Sequence, residues 1–379
     1  MRLLVLTLLI ALPLAGQPTK VIPPPAPAEE EKLDGIEIIN LYLKSEEGNA
    51  EAQYILAGRM EHGEGGFKKN QTEAVKWYEK SASQGHDKAQ FNLGYYYLNG
   101  NGVKKDPTLA VTWFRKSALQ GNERAQFWMG QCYTDGMGVP KDLGEGVRWY
   151  KLSAEQGSPQ SQGLMGFAYS LGRGVQEDQV EAVKWWRKSA EQGSSPSQDA
   201  LGNCYKAGSG VPQDWGVAAK WYRKAAEQGY ASSQEQLGNA YGYGRGVSQD
   251  YVEAAKWYRK AAEQGSTFSM CQLGLYSESG KGMPQNLPEA VRWYRMSAEN
   301  GYAIAQAALG ACYGMGTGVV QDNLQAYIWI SISASNGYEI AVGVLDKFAK
   351  LLTPLELTVS KAKAMQLIKE IQARRGANP

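Results

Sequence analysis

A tryptophan recurs every 36 residues through most of the chain, and the other apolar positions keep the same step. The eight members of this column are Trp77, Trp113, Trp149, Trp185, Trp221, Trp257, Trp293 and Trp329. Inside one unit, Ala89 and Leu93 have the spacing of one amphipathic helix, and Ala110 and Phe114 have that of a second. A step in the mid-thirties that holds over so many units predicts an all-α solenoid of about eight 36-residue helix-turn-helix repeats, over residues 50–338.

Glycines stand at fixed positions in each unit. Gly94 interrupts the first helix, where glycine costs roughly 1 kcal/mol against alanine. Its return in seven successive units predicts that a neighbouring helix passes too close for a side chain. Gly100 and Gly102 predict a tight loop between the two helices. Gly121 is suited to the left-handed residue that closes the second helix.

The second helix of each unit has a polar start signal. Asp106 stands before one such helix and can accept an N-cap hydrogen bond. In six units the cap is followed three residues later by Glu or Gln, which is the spacing of a capping box. These pairs are Asn70 and Glu73, Asp142 and Glu145, Asp178 and Glu181, Asp250 and Glu253, Asn286 and Glu289, and Asp322 and Gln325.

The tryptophan column is interpreted as packing, in which each indole fills the seam between stacked helix pairs and buries on the order of 200 Å². A sugar- or choline-stacking column is the alternative, but a functional aromatic residue would not need to recur in every unit. The acidic caps are likewise interpreted as solvated helix caps rather than a row of metal ligands. No metal site is expected.

The N-terminus predicts a secretory signal peptide at residues 1–16. Arg2 supplies a positive charge, Leu3 to Leu14 form a largely apolar run, and Ala15 and Gly16 are small. The run is shorter than the about 20 residues of a membrane span, so the mature chain is not expected to cross a membrane. An uncleaved, membrane-associated N-terminus is the alternative. The chain is expected to be exported to a bacterial periplasm or secreted, with the lumen of the endoplasmic reticulum as the alternative.

The remaining segments are predicted to be a linker and terminal caps. Residues 17–33 are rich in proline and then acidic, which predicts a disordered linker. Residues 34–49 predict an N-terminal capping helix. Residues 339–379 predict C-terminal capping helices, because a solenoid must shield its last apolar face. The N-terminal residues available to cover the first unit are Ile38, Ile39, Tyr42 and Leu43.

The last C-terminal helix has its own start signal. Thr353, Pro354 and Glu356 combine an N-cap, a proline at the first helical position and a capping-box glutamate. The helix is expected to run through Ile371. Its apolar side consists of Leu357, Ala364, Leu367, Ile368 and Ile371.

The stretch from Ala89 to Gly121 has the form A-Q-x-x-L-G-x-x-Y-x-x-G-x-G-V-x-x-D-x-x-x-A-x-x-W-F-x-K-S-A-x-x-G, which resembles the Sel1-like repeat family, relatives of the tetratricopeptide helix pairs. The resemblance covers about Ala52 to Gly337. It implies a right-handed superhelix whose concave face binds proteins or peptides, and adaptor work in secretion, envelope maintenance, signalling or host contact. A cysteine-rich branch of the family, linked to β-lactam binding or hydrolysis, pairs one cysteine on each helix of a unit. Here the second helices of the repeats lack cysteine.

Charge and cysteine content narrow the partner classes. The net charge is +2 and the charges are interspersed, without the basic stripe that nucleic-acid binding needs. Cys132, Cys204 and Cys312 share one repeat position and are interpreted as small buried residues. Cys271 and Cys312 lie in neighbouring repeats and form the only plausible disulfide pair. Free buried thiols are the favoured interpretation.

The sequence contains no recognisable catalytic set, and no cofactor is expected. His62 and His86 lack Cys or His partners at metal-ligand spacing, and both are expected to face solvent. Ser360 and Lys363 match the Ser-x-x-Lys motif of penicillin-recognising enzymes, but they lie in the capping helix without the companion motifs. The match is interpreted as chance.

Specificity is expected at first-helix positions that vary between units, because first helices line the groove in tetratricopeptide-like solenoids. The candidate partner-binding residues are Phe91, Tyr95, Phe127, Trp128, Gln131, Phe167, Asn203 and Asn239, with Asn92, Leu164, Asp199, Glu235 and Gln236 on the same face. The groove is thus expected to be aromatic near the N-terminal units and polar further on. Alternatively, these rings pack against adjacent repeats.

Two functions remain open. The favoured hypothesis is an exported, monomeric, non-enzymatic scaffold that binds a protein or peptide in its groove. The alternative is an envelope enzyme or enzyme regulator that acts on β-lactams or peptidoglycan.

Overall fold

A computed structural model describes residues 35–377, and the regular structure in that range is entirely helical. The helices are α1 (Gly35–Glu46), α2 (Ala50–His62), α3 (Gln71–Ser83), α4 (Asp87–Asn99), α5 (Pro107–Leu119), α6 (Glu123–Asp135), α7 (Leu143–Glu155), α8 (Pro159–Leu171), α9 (Gln179–Glu191), α10 (Ser195–Ala207), α11 (Trp215–Glu227), α12 (Ala231–Tyr243), α13 (Tyr251–Glu263), α14 (Thr267–Ser279), α15 (Leu287–Glu299), α16 (Ala303–Met315), α17 (Asn323–Ser335), α18 (Glu339–Ala349) and α19 (Pro354–Ala377). From α1 to α18 each helix packs against the next one along the chain. The predicted all-α solenoid is therefore confirmed, whereas the predicted signal peptide and linker lie outside the described residues.

Each repeat unit consists of an even-numbered first helix, from α2 to α16, and the odd-numbered second helix that follows it. All eight second helices begin at the predicted cap, as at α5, where Asp106 accepts a hydrogen bond from the Leu109 N–H at 2.9 Å. The capping box does not close in α3, because the Asn70 N–H donates to the Met60 carbonyl at 2.7 Å. Glu73 instead pairs with Lys76 on the surface at 2.9 Å, a contact worth about 0–1 kcal/mol.

The mid-helix glycines lie where the two helices of a unit approach most closely. A Cβ added at Gly94 would lie 2.7 Å from the Phe114 ring and 3.0 Å from the Ala110 carbonyl oxygen. At Gly202 the added carbon would lie 2.5 Å from the Tyr222 ring. The predicted lack of room is confirmed, and its main cause is the buried side chain that follows each column tryptophan, a ring in every unit except the last, where it is Ile330.

A row of buried glutamines links each unit to the next. Gln90 donates through Nε2 to the Ala82 carbonyl at 3.0 Å, and its Oε1 accepts a hydrogen bond from Gln120 at 2.8 Å. The same two bonds recur for Gln53 with Gln84, Gln126 with Gln156, Gln162 with Gln192, Gln198 with Gln228, Gln234 with Gln264, and Gln306 with Asn336. Within residues 35–377 the row is interrupted once, where Met270 and Asn300 replace the two glutamines.

Helix α1 occupies the place of a second helix in front of the first unit. Gln53 donates to the Ser45 carbonyl at 2.8 Å, just as the later glutamines donate to the preceding second helix. The expected covering face was wrong in part, because Ile39 is 59% exposed and Leu43 is 53% exposed. The contact with the first unit is made by Leu41, which packs against the core beneath it, and by the predicted Tyr42, whose ring meets that of Trp77 edge-on at 5.9 Å.

Two helices close the C-terminal end. Helix α19 packs against α17 and buries Ala364 and Ile371 against the core of the last two units. The predicted capping box forms, with the Thr353 N–H donating to Glu356 at 2.8 Å and the Glu356 N–H donating to the Thr353 hydroxyl at 3.3 Å. The helix continues past the expected end at Ile371, to Ala377. Across the described residues, none of the helices combines the length and apolarity that crossing a membrane requires.

Candidate functional site

Four of the five aromatic residues expected in the groove lie together on α4 and α6. Phe91 was expected to line the groove and does not, since it is only 4% exposed and packs on the buried Phe114, with ring centres 5.8 Å apart. The Arg124 guanidinium covers its other side, 4.7 Å from the ring centre. Asn92 is also buried. The sequence spacing could not reveal this, because the burial of Phe91 depends on the adjacent unit.

Tyr95, Phe127 and Trp128 remain half-buried and are referred to below as the aromatic cluster. Trp128 stacks on Phe114, with ring centres 5.9 Å apart and an angle of 12° between the planes. Tyr95 and Phe127 meet Trp128 edge-on at 5.8 Å and 5.9 Å. The rings therefore pack partly on one another, as the alternative interpretation expected, and each also keeps some exposed surface.

The amides expected in the groove hold buried hydroxyl groups of their own units. Gln131 accepts a hydrogen bond from Tyr150, Asn203 from Tyr222 and Asn239 from Tyr258, each at 2.8 Å. A buried hydroxyl without an acceptor costs about 1–3 kcal/mol. These three amides thus have a structural task, which leaves only their remaining N–H groups for a ligand.

The pairing rule extends to the other units and could have been found in the sequence. Tyr78 and Tyr294 use glutamates instead, donating to Glu61 at 2.7 Å and to Glu278 at 2.6 Å. Three units have no tyrosine after the column tryptophan. The residue there, followed by the residue at the amide position of the same unit, is Phe114 with Tyr95, Trp186 with Phe167, and Ile330 with Ala311. An amide or a glutamate therefore accompanies a tyrosine in every unit, whereas an aromatic residue at the amide position accompanies Phe114 and Trp186.

Phe167 lies in α8 and is half-buried, with its ring 5.2 Å from that of Trp186 and edge-on to it. Leu164, on the same helix, packs against the core of the neighbouring unit. Phe167 belongs to a different core from Tyr95 and Trp128. The structure therefore groups the predicted aromatic residues into the cluster on α4 and α6 and a separate contact on α8.

A polar cluster replaces the rings further along, on α10 and α12. Asp199 is 8% exposed and accepts hydrogen bonds from Ser233 at 2.6 Å and Asn203 at 3.0 Å. Glu235 accepts one from Ser266 at 2.7 Å. Burial raises the pKa of Asp199 and of Glu235, and their hydrogen bonds oppose that change only in part. The expected change from an aromatic to a polar face is present in the side chains.

Lys206 completes this polar cluster and was missed in the sequence. Its Nζ donates to the Gln236 side-chain oxygen at 3.1 Å. Burial lowers the pKa of its ammonium group. The signal was available, since the same repeat position in the other units holds Glu61, Leu98, Thr134, Ser170, Gly242, Glu278 and Gly314. A lysine at this position occurs in one unit alone.

The repeats match a known family along the whole array. The family model described as "Sel1 repeat" matches residues 50–86, 87–122, 123–158, 159–194, 195–230, 231–266, 267–302 and 303–338. The chain belongs to the Sel1 repeat family. Sel1 repeat proteins are commonly protein–protein interaction scaffolds.

Two solved structures are similar to this Sel1 repeat protein. A Sel1 repeat protein from Oxalobacter formigenes is 31% identical, with 83% of this chain and 91% of that chain covered and a TM-score of 0.63. A protective antigen of uropathogenic Escherichia coli strains that displays an SLR fold is 30% identical, with 90% and 89% covered and a TM-score of 0.50. A search of curated proteins finds no match.

The Sel1 tryptophan column is buried or half-buried throughout. Trp77, Trp149, Trp185 and Trp329 are buried, and Trp113, Trp221, Trp257 and Trp293 are half-buried. In five units a lysine of the next turn covers the indole, as Lys80 does at 3.7 Å from the ring centre of Trp77. Such an environment is the one expected of packing residues.

The histidines differ from each other. His62 is exposed, as expected. His86 was expected to face solvent, but its ring stacks on Tyr54 at 4.7 Å and pairs with Glu51 at 2.8 Å. Its Nδ1 accepts the Ala89 N–H and so caps α4. The expectation for His86 was wrong because its ring packs on Tyr54 and caps α4, as Asn122 caps α6 in the next unit.

The four cysteines are free and buried, including Cys271 and Cys312, the one pair considered for a disulfide. Burial raises the pKa of Cys132, Cys204 and Cys271 to about 12. These thiols are therefore protonated near neutral pH and behave as small apolar residues. Between residues 35 and 377, no group of three or more His, Cys, Asp or Glu side chains is arranged to hold a metal ion.

Proposed function

We propose that this Sel1 repeat protein is an exported, monomeric scaffold that binds a peptide segment of a partner protein across its first helices. The aromatic cluster of Tyr95, Phe127 and Trp128 is the proposed anchor. The export proposal follows from the signal-like residues 1–16 and places the protein in a bacterial periplasm or in the medium.

The observation that supports the anchor is the partial exposure of three rings on adjacent first helices, held from below by Phe114. Aromatic side chains of this kind are frequent anchors at protein interfaces, because they bury a large area with few rotatable bonds. The Arg124 guanidinium beside the cluster adds a cation at its edge. Such a surface is suited to an apolar peptide side chain with a neighbouring hydrogen-bond acceptor.

The experiment is quantitative recovery of binding proteins from the native host on immobilised wild type and on the double variant Tyr95→Ala with Trp128→Ala. Each recovered candidate is then purified, and its Kd is measured against both forms. We expect the double variant to bind at least tenfold more weakly. The control Trp257→Ala removes a half-buried ring of the same kind from a second helix and should retain the affinity.

Equal affinity of wild type and the double variant for every purified partner would contradict the anchor. The enzymatic alternative is tested by incubating purified protein with a chromogenic β-lactam, and turnover above background would favour it. We expect none from the Ser360 motif, since the Ser360 side chain is fully buried while Lys363 is exposed. A nucleophile must be reachable by its substrate.

A further inference from the structure

A cleft of about 530 Å³ opens between α10, α11 and α12, away from the aromatic cluster. We infer that this cleft binds a carboxylate group of a polypeptide between Lys206 and Arg245, with the adjoining apolar side chain against Trp215 and Tyr243. The inference rests on the proposed function only for the class of ligand, a polypeptide. The cleft has its own chemistry and its own test.

Two cations face this cleft without a direct ion pair. Lys206 reaches it from the end of α10, and Arg245 reaches it from the loop after α12. Among residues 35–377 neither forms an ion pair with a carboxylate. Lys206 is largely buried, and Arg245 adds to the cost of its charge. A bound anion would relieve both effects.

Aromatic rings hold Arg245 in place. Its guanidinium lies 5.2 Å from the ring centre of Trp215 and 5.2 Å from that of Tyr243. Contacts at this distance are worth about 0.5–1 kcal/mol each at exposed sites. The two rings therefore aim the cation and also supply an apolar wall beside it.

Two of the three amides of the cleft, Asn239 and Gln236, offer donors rather than acceptors. The Asn239 oxygen accepts the Tyr258 hydroxyl, and the Gln236 oxygen accepts the Lys206 ammonium. Each amide therefore has its N–H₂ group left to donate. The third amide, Gln213, donates to the Lys206 carbonyl at 2.8 Å and keeps its oxygen as an acceptor. With the two cations, donors still predominate in the lining, which favours a ligand rich in acceptor oxygens.

A small side chain forms part of the floor of the cleft. Ala219 is buried beneath the cleft. At the same repeat position five other units hold valine, namely Val75, Val111, Val147, Val183 and Val291. Ala255, in the next unit, is the other alanine of this column, but only Ala219 lies next to the uncommon Lys206 and Trp215.

The charge balance favours a carboxylate over a phosphate. Asp199 and Glu235 lie close enough to Lys206 for their charges to favour its ammonium form. Two cations and two nearby carboxyl groups leave little excess positive charge, which suits a monoanion better than a dianion. A carboxylate beside an apolar side chain satisfies the donors and the aromatic wall together.

The test is isothermal titration of the full protein with three acetylated tetrapeptides at low salt. The first peptide ends in Phe-Glu with an amidated C-terminus, so its only carboxylate is the glutamate side chain. The second ends in phenylalanine with a free C-terminal carboxylate. The third is the first peptide with glutamine in place of glutamate, and it is neutral. We expect at least one acidic peptide to bind at least tenfold more tightly than the neutral peptide. The peptide that binds identifies a side-chain or a terminal carboxylate as the source.

Lys206→Met and Arg245→Gln should each weaken that binding at least tenfold. Matched controls come from the repeat: Arg173→Gln changes the arginine at the equivalent loop position two units earlier, and Lys281→Met removes a cation 5.3 Å from Tyr251 one unit later. Both controls should bind as wild type does. Circular dichroism checks the fold of each variant.

Three outcomes would overturn the inference: no binding of either acidic peptide to folded wild type, equal binding of the neutral peptide, or an equal loss in Arg173→Gln. The double variant Tyr95→Ala with Trp128→Ala should titrate like wild type. Its behaviour separates the two proposals, because failure of the aromatic anchor leaves this titration unchanged.

Discussion

Two regions of the solenoid have nearly the same backbone and different faces. In residues 87–158 the face positions hold rings, of which Trp128 stacks on Phe114, whereas in residues 195–266 the equivalent positions hold hydrogen-bonded polar groups around Lys206. Phe91 and Asp199 stand at the same repeat position, as do Trp128 and Gln236. Both regions keep the caps, the mid-helix glycines and the glutamine row. The difference teaches that the scaffold is constant and that the chemistry of the face is set by a few substitutions per unit.

The largest expected effect tests the shared scaffold. Gly94→Leu and Gly202→Leu should each lower the free energy of unfolding by about 3 kcal/mol, because a side chain there meets a buried ring of the paired helix. The measurement is the urea midpoint by circular dichroism. Gly343→Leu is the control, since a Cβ there meets nothing within 4 Å. A much larger loss in one region than in the other would show that the two scaffolds differ.

A smaller effect tests the pairing of a buried tyrosine hydroxyl with an amide, which is present in the polar region and absent from the unit that contains Phe114. Phe114→Tyr adds a buried hydroxyl to a unit that lacks the amide, and should lower stability by about 2 kcal/mol. Adding Tyr95→Asn supplies the acceptor that Tyr222 finds in Asn203, and should restore at least half of the loss. The double-mutant cycle measures the coupling. If the effects of the two substitutions are additive, the hydroxyl–amide pairing does not explain why an amide or a glutamate accompanies each tyrosine.

The smallest effect concerns pH. Because burial raises the pKa of Asp199 above its ordinary value of about 3.9, the folded chain keeps this proton to higher pH than the unfolded chain does. Ionisation of Asp199 therefore costs stability as pH rises above about 4, and Asp199→Asn removes that cost. The Tm of the variant minus that of wild type should increase between pH 4 and pH 7.

Phe91→Leu is the matched control for pH, since it changes the same repeat position in the aromatic region. Its Tm difference from wild type should stay constant over the same pH range. A constant difference for Asp199→Asn as well would contradict the raised pKa.

Much of the fold could be predicted from the sequence because the information that determines it is local or periodic. The 36-residue step, the cap at Asp106 and the tight glycine at Gly94 depend on residues within one unit. The cover of Phe91 by Arg124 and the stacking of His86 on Tyr54 are contacts between neighbouring helix pairs, which periodicity alone does not describe. The contact of Arg245 with Trp215 joins residues 30 positions apart across two units. Whether Lys206 has a counter-ion likewise depends on distances between side chains.

Helix α1 also shows that helical spacing alone does not identify which residues contact the neighbouring unit. Its apolar residues were assigned to the first unit by helical spacing alone, yet Ile39 and Leu43 are exposed. Gly48 stands 37 residues before Gly85, and both have positive φ, of 94° and 93°. That register marks α1 as a second helix without its first, and it was visible in the sequence.

The interruption of the glutamine row at Met270 and Asn300 has a consequence for how the molecule comes apart. In a linear array, cooperativity depends on the coupling between neighbouring units. Here the junction before α14 lacks the hydrogen bond from a first-helix glutamine to the preceding second helix that the other junctions have, so the C-terminal units from residue 267 onward should exchange amide hydrogens as a block separate from the rest. Under tension or heat the chain would then yield in two steps, with the boundary at α14.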